Sequence, residues 1–147
     1  MENFNVAING VDITALKLIM LDGSLDNLLK PNELKSLVMN ENASIDGSLA
    51  ILTNRKVKSR DVSIRFLVKS QSQIDLVKKL DDLIDFFTKG SKDVYGSYSG
   101  ENRFHIIELE RVYRLVFLKC DKYDGFGEDS ALLSLSFKEL NPFNRSL

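Results

Sequence analysis

The chain has a single histidine, His105, and a single cysteine, Cys120. An imidazole base and a thiol are the minimum equipment of a cysteine hydrolase. A working triad also needs a carboxylate to orient the base and a nucleophile within hydrogen-bond reach. Both residues fall in β-patterned segments and could meet across a sheet, but no nucleophile motif surrounds Cys120. We read Cys120 as a buried structural thiol, the usual fate of a free cysteine, beside an edge histidine. Glu108 and Glu110 lie two apart, which on a strand sets both carboxylates on one face roughly 6–7 Å apart. That separation is within glycosidase range. It also describes any exposed strand end, and the chain has no tryptophan to stack a sugar. His105, Glu108 and Glu110 therefore carry the enzymatic alternative, a hydrolase or small-ligand-binding domain. The expectation is a protein without catalytic, cofactor-binding or metal-binding residues.

Two further stretches hold charge at high density. Residues 121–129 (DKYDGFGED) superficially suit calcium, but Lys122 and Tyr123 stand where an EF-hand needs oxygen ligands. A long hairpin loop is the better reading of that turn-rich composition. Residues 54–60 (NRKVKSR) carry Arg55, Lys56, Lys58 and Arg60. A phosphate or acidic partner is one use for them. A solvated loop and strand edge, where Lys and Arg discourage stray pairing, is the favoured one, because no aromatic residues interleave for base stacking. Walker A, GxGxxG, HExxH and CxxC patterns are absent, so no nucleotide, zinc or other cofactor is expected.

The elements that must position these side chains follow from periodicity. Phe4, Val6 and Ile8 alternate, Asn9-Gly10 is a strong type I′ hairpin signal, and Val11, Ile13 and Ala15 continue the return strand. Leu16 to Leu21 is nearly continuous apolar sequence, closed by Asp22-Gly23. Leu25, Leu28 and Leu29 follow Ser24, a candidate N-cap, and Pro31 ends any helix there. Residues 32–39 fit a short helix or a strand. Asn40 to Gly47 is a polar connection with a turn signal at Asp46-Gly47. Val62, Ile64, Phe66 and Val68 share one face of a strand over 62–69, with Leu67 partly covering the other. A helix is predicted over 73–89, capped by Ser70 or Ser72, with Asp75 in its first turn and Gly90 at its end. Its apolar stripe comprises Ile74, Val77, Leu80, Ile84 and Phe87, joined by Leu76 and Leu83. Lys78 and Asp82 form an i,i+4 pair on the far side. Short strands at 93–98 and 104–109 are separated by a turn at 99–102. A doubly apolar central strand at 112–120 and a final strand at 131–139 end before Pro142.

Composition sets the outer limits. With 147 residues, 44% hydrophobic and 28% charged, the chain suits one domain with a real core. A net charge of −1 supplies no global attraction to nucleic acid or anionic lipid. No apolar run approaches the ~20 residues of a membrane span. The 15–21 segment contains Lys17 and lacks a basic leader, which argues against a signal peptide. The expected fold class is α+β: mainly a β sandwich or roll with one long α-helix packed on the sheet.

The order of features resembles the N-terminal ring-forming domain of distal tail proteins from siphovirus-type phages. It runs from the early Asn9-Gly10 through Asp46-Gly47 to the strand RDVSIRFLVKS (60–70). The helix LVKKLDDLIDFFTKG (76–90) follows directly, then VYRLVFLK (112–119), LLSLSFKELNPFNR (132–145) and the Asn141-Pro142 pair. The likeness spans about residues 4–145. It implies a structural phage or prophage tail protein that forms homo-hexameric rings joining the tail tube to the baseplate hub, without catalysis, nucleic-acid specificity or membrane contact. It would be made in the bacterial host cytoplasm and reside in the virion tail. Distal tail proteins usually add a second β-rich domain, for which 147 residues leave no room. Residues 1–147 are therefore expected to be a single ring-forming domain, with the long 24–60 region as an intersubunit arm. A tube or tail-completion protein on a related fold is the alternative tail component.

Overall fold

A computed structural model of the chain describes residues 5–31, 38–41, 48–51, 58–127, 129–142 and 144–145. Expectations for Phe4, residues 32–37, Asp46-Gly47, Arg55 and Lys56 lie outside these. Strand β1 (Val6–Ile8) turns at Asn9 and Gly10 into β2 (Val11–Asp12). Both turn residues have positive φ, 54° and 83°, as a type I′ turn requires. The return strand stops at Asp12 and does not reach Ala15. The Asp12 carboxylate accepts from the backbone N–H and hydroxyl of Thr14 at 2.9 and 2.8 Å, a local turn that competes with the ladder. Next come β3 (Leu18–Met20) and the short helix α1 (Ser24–Leu29). Strands β4 (Val38–Glu41) and β5 (Ser48–Ile51) follow, so part of the 32–47 region is strand. The rest is β6 (Arg60–Lys69), α2 (Gln73–Lys89), β7 (Glu101–Ile106), a 3-10 turn (Ile107–Leu109), β8 (Arg111–Phe126) and β9 (Ser130–Glu139).

Seven strands form one antiparallel sheet in the order β2-β1-β7-β8-β9-β6-β3, while β4 and β5 pair with each other. The two end strands of the sheet are joined by residues 13–17. Ile13 N–H donates to the Val6 carbonyl (3.1 Å), and Leu18 N–H donates to that of Ile13 (3.0 Å). The sheet therefore curls until its ends lie close together. The β-rich α+β class is the expected one; seven strands form one curled sheet with α2 packed on it, β4 and β5 form a separate ribbon, and α1 is a second, short helix.

The concave face is the core. Val62, Ile64, Phe66 and Val68 of β6 and Leu133, Leu135 and Phe137 of β9 point inward, as alternation predicted. Phe87 of α2 sits at the centre, with ring centroids 5.3–6.2 Å from those of Phe66, Phe104, Phe117 and Phe137. Helix α2 has the predicted bounds. Ser72 caps it by accepting from Asp75 N–H (3.2 Å), and Gly90 closes it at φ 72°. Its buried face is Leu76, Leu83 and Phe87. That rotation leaves Ile74 (74% exposed) and Val77 (52%) in solvent rather than in the core stripe. The ion pairs on the helix are Lys79–Asp75 (3.4 Å) and Lys89–Asp85 (2.9 Å), not the expected Lys78–Asp82.

Ser24 is not the cap of α1; Gly23 occupies that position. The Ser24 hydroxyl instead accepts from Arg65 N–H (2.9 Å) and lies 3.3 Å from its carbonyl, while the Asn27 amide donates to the Ser63 carbonyl (2.8 Å). Helix α1 thus takes the place of a neighbouring strand along the outer edge of β6. The strand expected at 93–98 is a tight loop with an isolated bridge between Lys92 and Tyr98. The expected turn at 99–102 ends sooner, because Glu101 and Asn102 already belong to β7.

Candidate functional site

The sequence candidates are dispersed. His105 lies on β7 opposite Ala7 of β1 and Val112 of β8, so it is on an interior strand, not an edge. Cys120 is exposed on β8, not buried, with its thiol 3.3 Å from the Lys122 carbonyl. Val112, the register partner of His105, and Cys120 are eight residues apart on the same strand, roughly 25 Å at strand rise. The thiol and the imidazole therefore do not meet. The carboxylate pair fails for another reason. Glu108 sits in the 3-10 turn and Glu110 takes a left-handed φ of 52°, so neither lies on a strand. The Glu108 carboxylate accepts from Asn5 N–H at 2.8 and 3.1 Å, which ties the chain before β1 to that turn.

Residues 121–126 continue β8 rather than forming a loop. They pair with β9 as far as Phe126 opposite Ser130, through register shifts at 117–119 and 120–122. Asp121 hydrogen-bonds the Ser136 hydroxyl, and Asp124 pairs with Lys122 (3.4 Å). Among the described residues, no three His, Cys, Asp or Glu side chains gather as a metal site would need. No helix among them is long and apolar enough to cross a membrane.

Arg60 departs from both readings of the basic stretch, because its guanidinium is turned inward. Nε bonds Glu139 Oε1 at 2.6 Å, and the terminal nitrogens donate to the carbonyls of Leu28 (2.5 Å), Lys30 (2.8 Å) and Asn27 (3.1 Å). Those carbonyls are the unsatisfied end of α1. Arg145 completes the cluster, with Nε 3.1 Å from Glu139 Oε2 and Nη2 2.9 Å from Oε1. Glu139 is fully buried (0% exposed). Both guanidinium groups lie over the Tyr113 ring, 5.7 Å (Arg60) and 5.0 Å (Arg145) from its centroid. Arg60 and Glu139 are direct partners in the β6–β9 ladder. The cluster therefore locks α1, β6, β8, β9 and the segment after β9 together. Its chemistry is structural: both oxygens of the carboxylate are engaged. Sequence reasoning missed it, since no local signal links Arg60, Glu139 and Arg145.

Asn102 is a second buried polar node. Its amide donates to the carbonyls of Phe87 (2.8 Å) and Leu115 (3.3 Å), and its oxygen accepts from the Asn9 amide (2.9 Å). Asn9 in turn accepts from Arg103 N–H (2.8 Å). The β1–β2 turn is thereby docked onto the C-terminal end of α2. Beside this junction lies an open cleft of about 610 Å³, bordered by Asn9, Asp85, Phe86, Lys89, Tyr98 and Arg103. Lys89 is held above its ordinary value by the Asp85 carboxylate beside it. The cleft mixes paired charges and contains none of His105, Glu108, Glu110 or Cys120. A smaller, more apolar groove of about 330 Å³ lies along the middle of α2, next to the 15–18 segment.

Exposed apolar side chains form the other notable feature. Val94 and Tyr95 stand at the tip of the loop after α2, Ile74 and Val77 on α2, and Leu118 and Tyr123 on the far half of β8. These are the surfaces from which contacts with other proteins can be built.

No protein-family model matches the chain, and no curated protein matches it. Among solved structures it is similar to the Dit protein (gp 19.1) of phage SPP1, described as a paradigm of the hub adsorption apparatus in phages infecting Gram-positive bacteria. The superposition has a TM-score of 0.65 at 14% sequence identity, covering 96% of this chain and 51% of the other. The chain thus spans about half the length of that protein and shares its fold over that half.

Proposed function

We propose that the chain is a structural, self-assembling subunit of a phage or prophage tail. In this reading residues 1–147 act as one ring-forming domain, six copies close into a ring, and the ring joins the tail tube to the baseplate hub without catalysing a reaction. The protein is made in the host cytoplasm and works in the virion tail. The observation that carries the reading is the fold shared with SPP1 Dit over 96% of the chain. The wide separation of His105 and Cys120, and the binding of the Glu108 carboxylate to Asn5, weigh against the hydrolase alternative.

The expected arm is shorter than 24–60, because α1 packs on β6 and Arg60 belongs to the β6–β9 ladder. The β4–β5 ribbon between them supports an assembly role for its middle part. Among the described residues it pairs with no strand of the large sheet, and a two-stranded ribbon on its own is marginal in water, so it would gain from a partner surface. Deleting residues 40–59 is expected to leave a folded monomer and abolish the ring. Size exclusion with light scattering, followed by electron microscopy, tests the whole reading. Closed rings support it, stacked tubes move it to a tube component, and a ring that survives the deletion removes the arm.

A further inference from the structure

We propose that neighbouring copies in the ring meet knob into groove: Val94 and Tyr95 of one copy seat in the apolar groove beside α2 of the next. The inference rests on the ring reading and names the surfaces that would make it.

The knob is built to hold still. Asp93 Oδ1 accepts from the backbone N–H groups of Tyr95 (2.8 Å) and Ser97 (3.0 Å). Asp93 N–H donates to the Ser97 carbonyl (2.8 Å), and Gly96 N–H to that of Asp93 (3.1 Å). Ser99 N–H donates to the Ser91 carbonyl (2.9 Å), and the Lys89 and Lys92 ammonium groups lie 5.5 and 5.4 Å from the Tyr98 ring centroid. A loop so constrained loses little further freedom on binding. Yet it presents Val94 at 92% and Tyr95 at 90% exposure, the highest of any large apolar side chains among the described residues. A rigid, exposed tyrosine is the kind of side chain that dominates protein contacts.

The groove answers it on the same chain. Leu16, Leu18, Val68, Leu83 and Phe86 line about 330 Å³, with Asp82 and Lys79 at the rim. That volume is at the small end of the ~300–1,000 Å³ range of pockets that take discrete groups. Lys79 is engaged with Asp75 (3.4 Å) and the Lys69 carbonyl (3.0 Å). Asp82 makes no ion pair among the described residues and carries the charge opposite to Lys92 at the base of the knob. Within one chain both also border the 610 Å³ cleft, so a cross-link between copies is the readout specific to their contact. The knob follows the C-terminal end of α2 and the groove flanks its middle. Two different surfaces that fit each other give a head-to-tail contact, which repeats into a closed ring when the rotation permits.

The test uses the full chain. Tyr95→Ala should weaken each contact about 30-fold or more and return material to monomer at concentrations where the wild type is a ring. Circular dichroism should stay unchanged, because the side chain is exposed. Lys92→Asp and Asp82→Lys should each dissolve the ring, and the two together should restore it. As a second readout, Tyr95→Cys with Ala15→Cys in a Cys120→Ser background should cross-link adjacent copies on oxidation. Rings that persist in Tyr95→Ala, reversals that do not rescue each other, or an uncross-linked ring overturn the contact while leaving the ring reading intact. A wild-type protein that never forms rings overturns both.

Discussion

Glu139→Gln removes one charge from the best-defined polar cluster in the molecule and keeps the side-chain shape. Glu139 is fully buried and engages Arg60 (2.6 Å) and Arg145 (2.9 and 3.1 Å). Breaking a buried ion pair by removing one partner typically costs ~3–5 kcal/mol, since the remaining charge is left uncompensated. Here the arginine side chains keep 12% and 9% of their exposure, and Arg60 retains three carbonyls at the end of α1. The loss should therefore fall near the lower end, about 3 kcal/mol. At roughly 4 °C per kcal/mol for a chain of this size, Tm should drop by about 12 °C. Urea unfolding followed by circular dichroism, with calorimetry for Tm, measures both. The combination Glu139→Leu, Arg60→Met and Arg145→Leu should recover part of the loss, because apolar packing replaces such triads well. Recovery should stay incomplete, because the α1 carbonyls lose their donor. A Glu139→Gln protein within ~1 kcal/mol of wild type would show that the buried charge is not what holds the cluster together.

Gly90→Ala should destabilise by at least ~2 kcal/mol. The residue has φ 72°, and an added Cβ would lie 2.5 Å from the Glu101 nitrogen and 2.7 Å from the Gly100 carbonyl carbon; a neutral result in urea titration contradicts this. Asn102→Ala strips donors from two buried carbonyls and should cost about 2–3 kcal/mol, read in the same assay. The Asp12 and Asp75 carboxyls are held below their ordinary 3.8, mainly by backbone N–H groups of Thr14 and Gln71. Their stabilisation is therefore present above pH 3.8 and is lost as pH falls through the lower folded values. Carboxyl-carbon NMR titration should place both midpoints below 3.8, and midpoints at or above it would count against those hydrogen bonds.

What was legible in the sequence was what burial writes locally. Val62, Ile64, Phe66 and Val68 alternate because one face of β6 meets the core, and Leu76, Leu83 and Phe87 recur at helical spacing because α2 lies on it. Asn9-Gly10 and Gly90 were legible because only a few residue types tolerate their backbone angles. The far half of β8 was not. Residues 121–125 are exposed on both faces, so no alternation marks them, and only pairing with β9 keeps them extended. Glu108 and Glu110 looked like strand residues because a chain reversal at Glu110 leaves no trace in hydropathy. Arg60, Glu139 and Arg145 are joined by tertiary register alone: Arg60 and Glu139 are 79 residues apart in sequence and opposite each other in the ladder.

Whether the chain self-associates is read from the mass and shape of the purified protein in solution as its concentration rises. Light scattering coupled to size exclusion, with negative-stain images of the same fractions, should give a discrete particle near six times the 16.7 kDa subunit, with a central hole. A sharp 16.7 kDa peak at every concentration up to the millimolar range, and fields without annular particles, would mean that the chain does not assemble into rings.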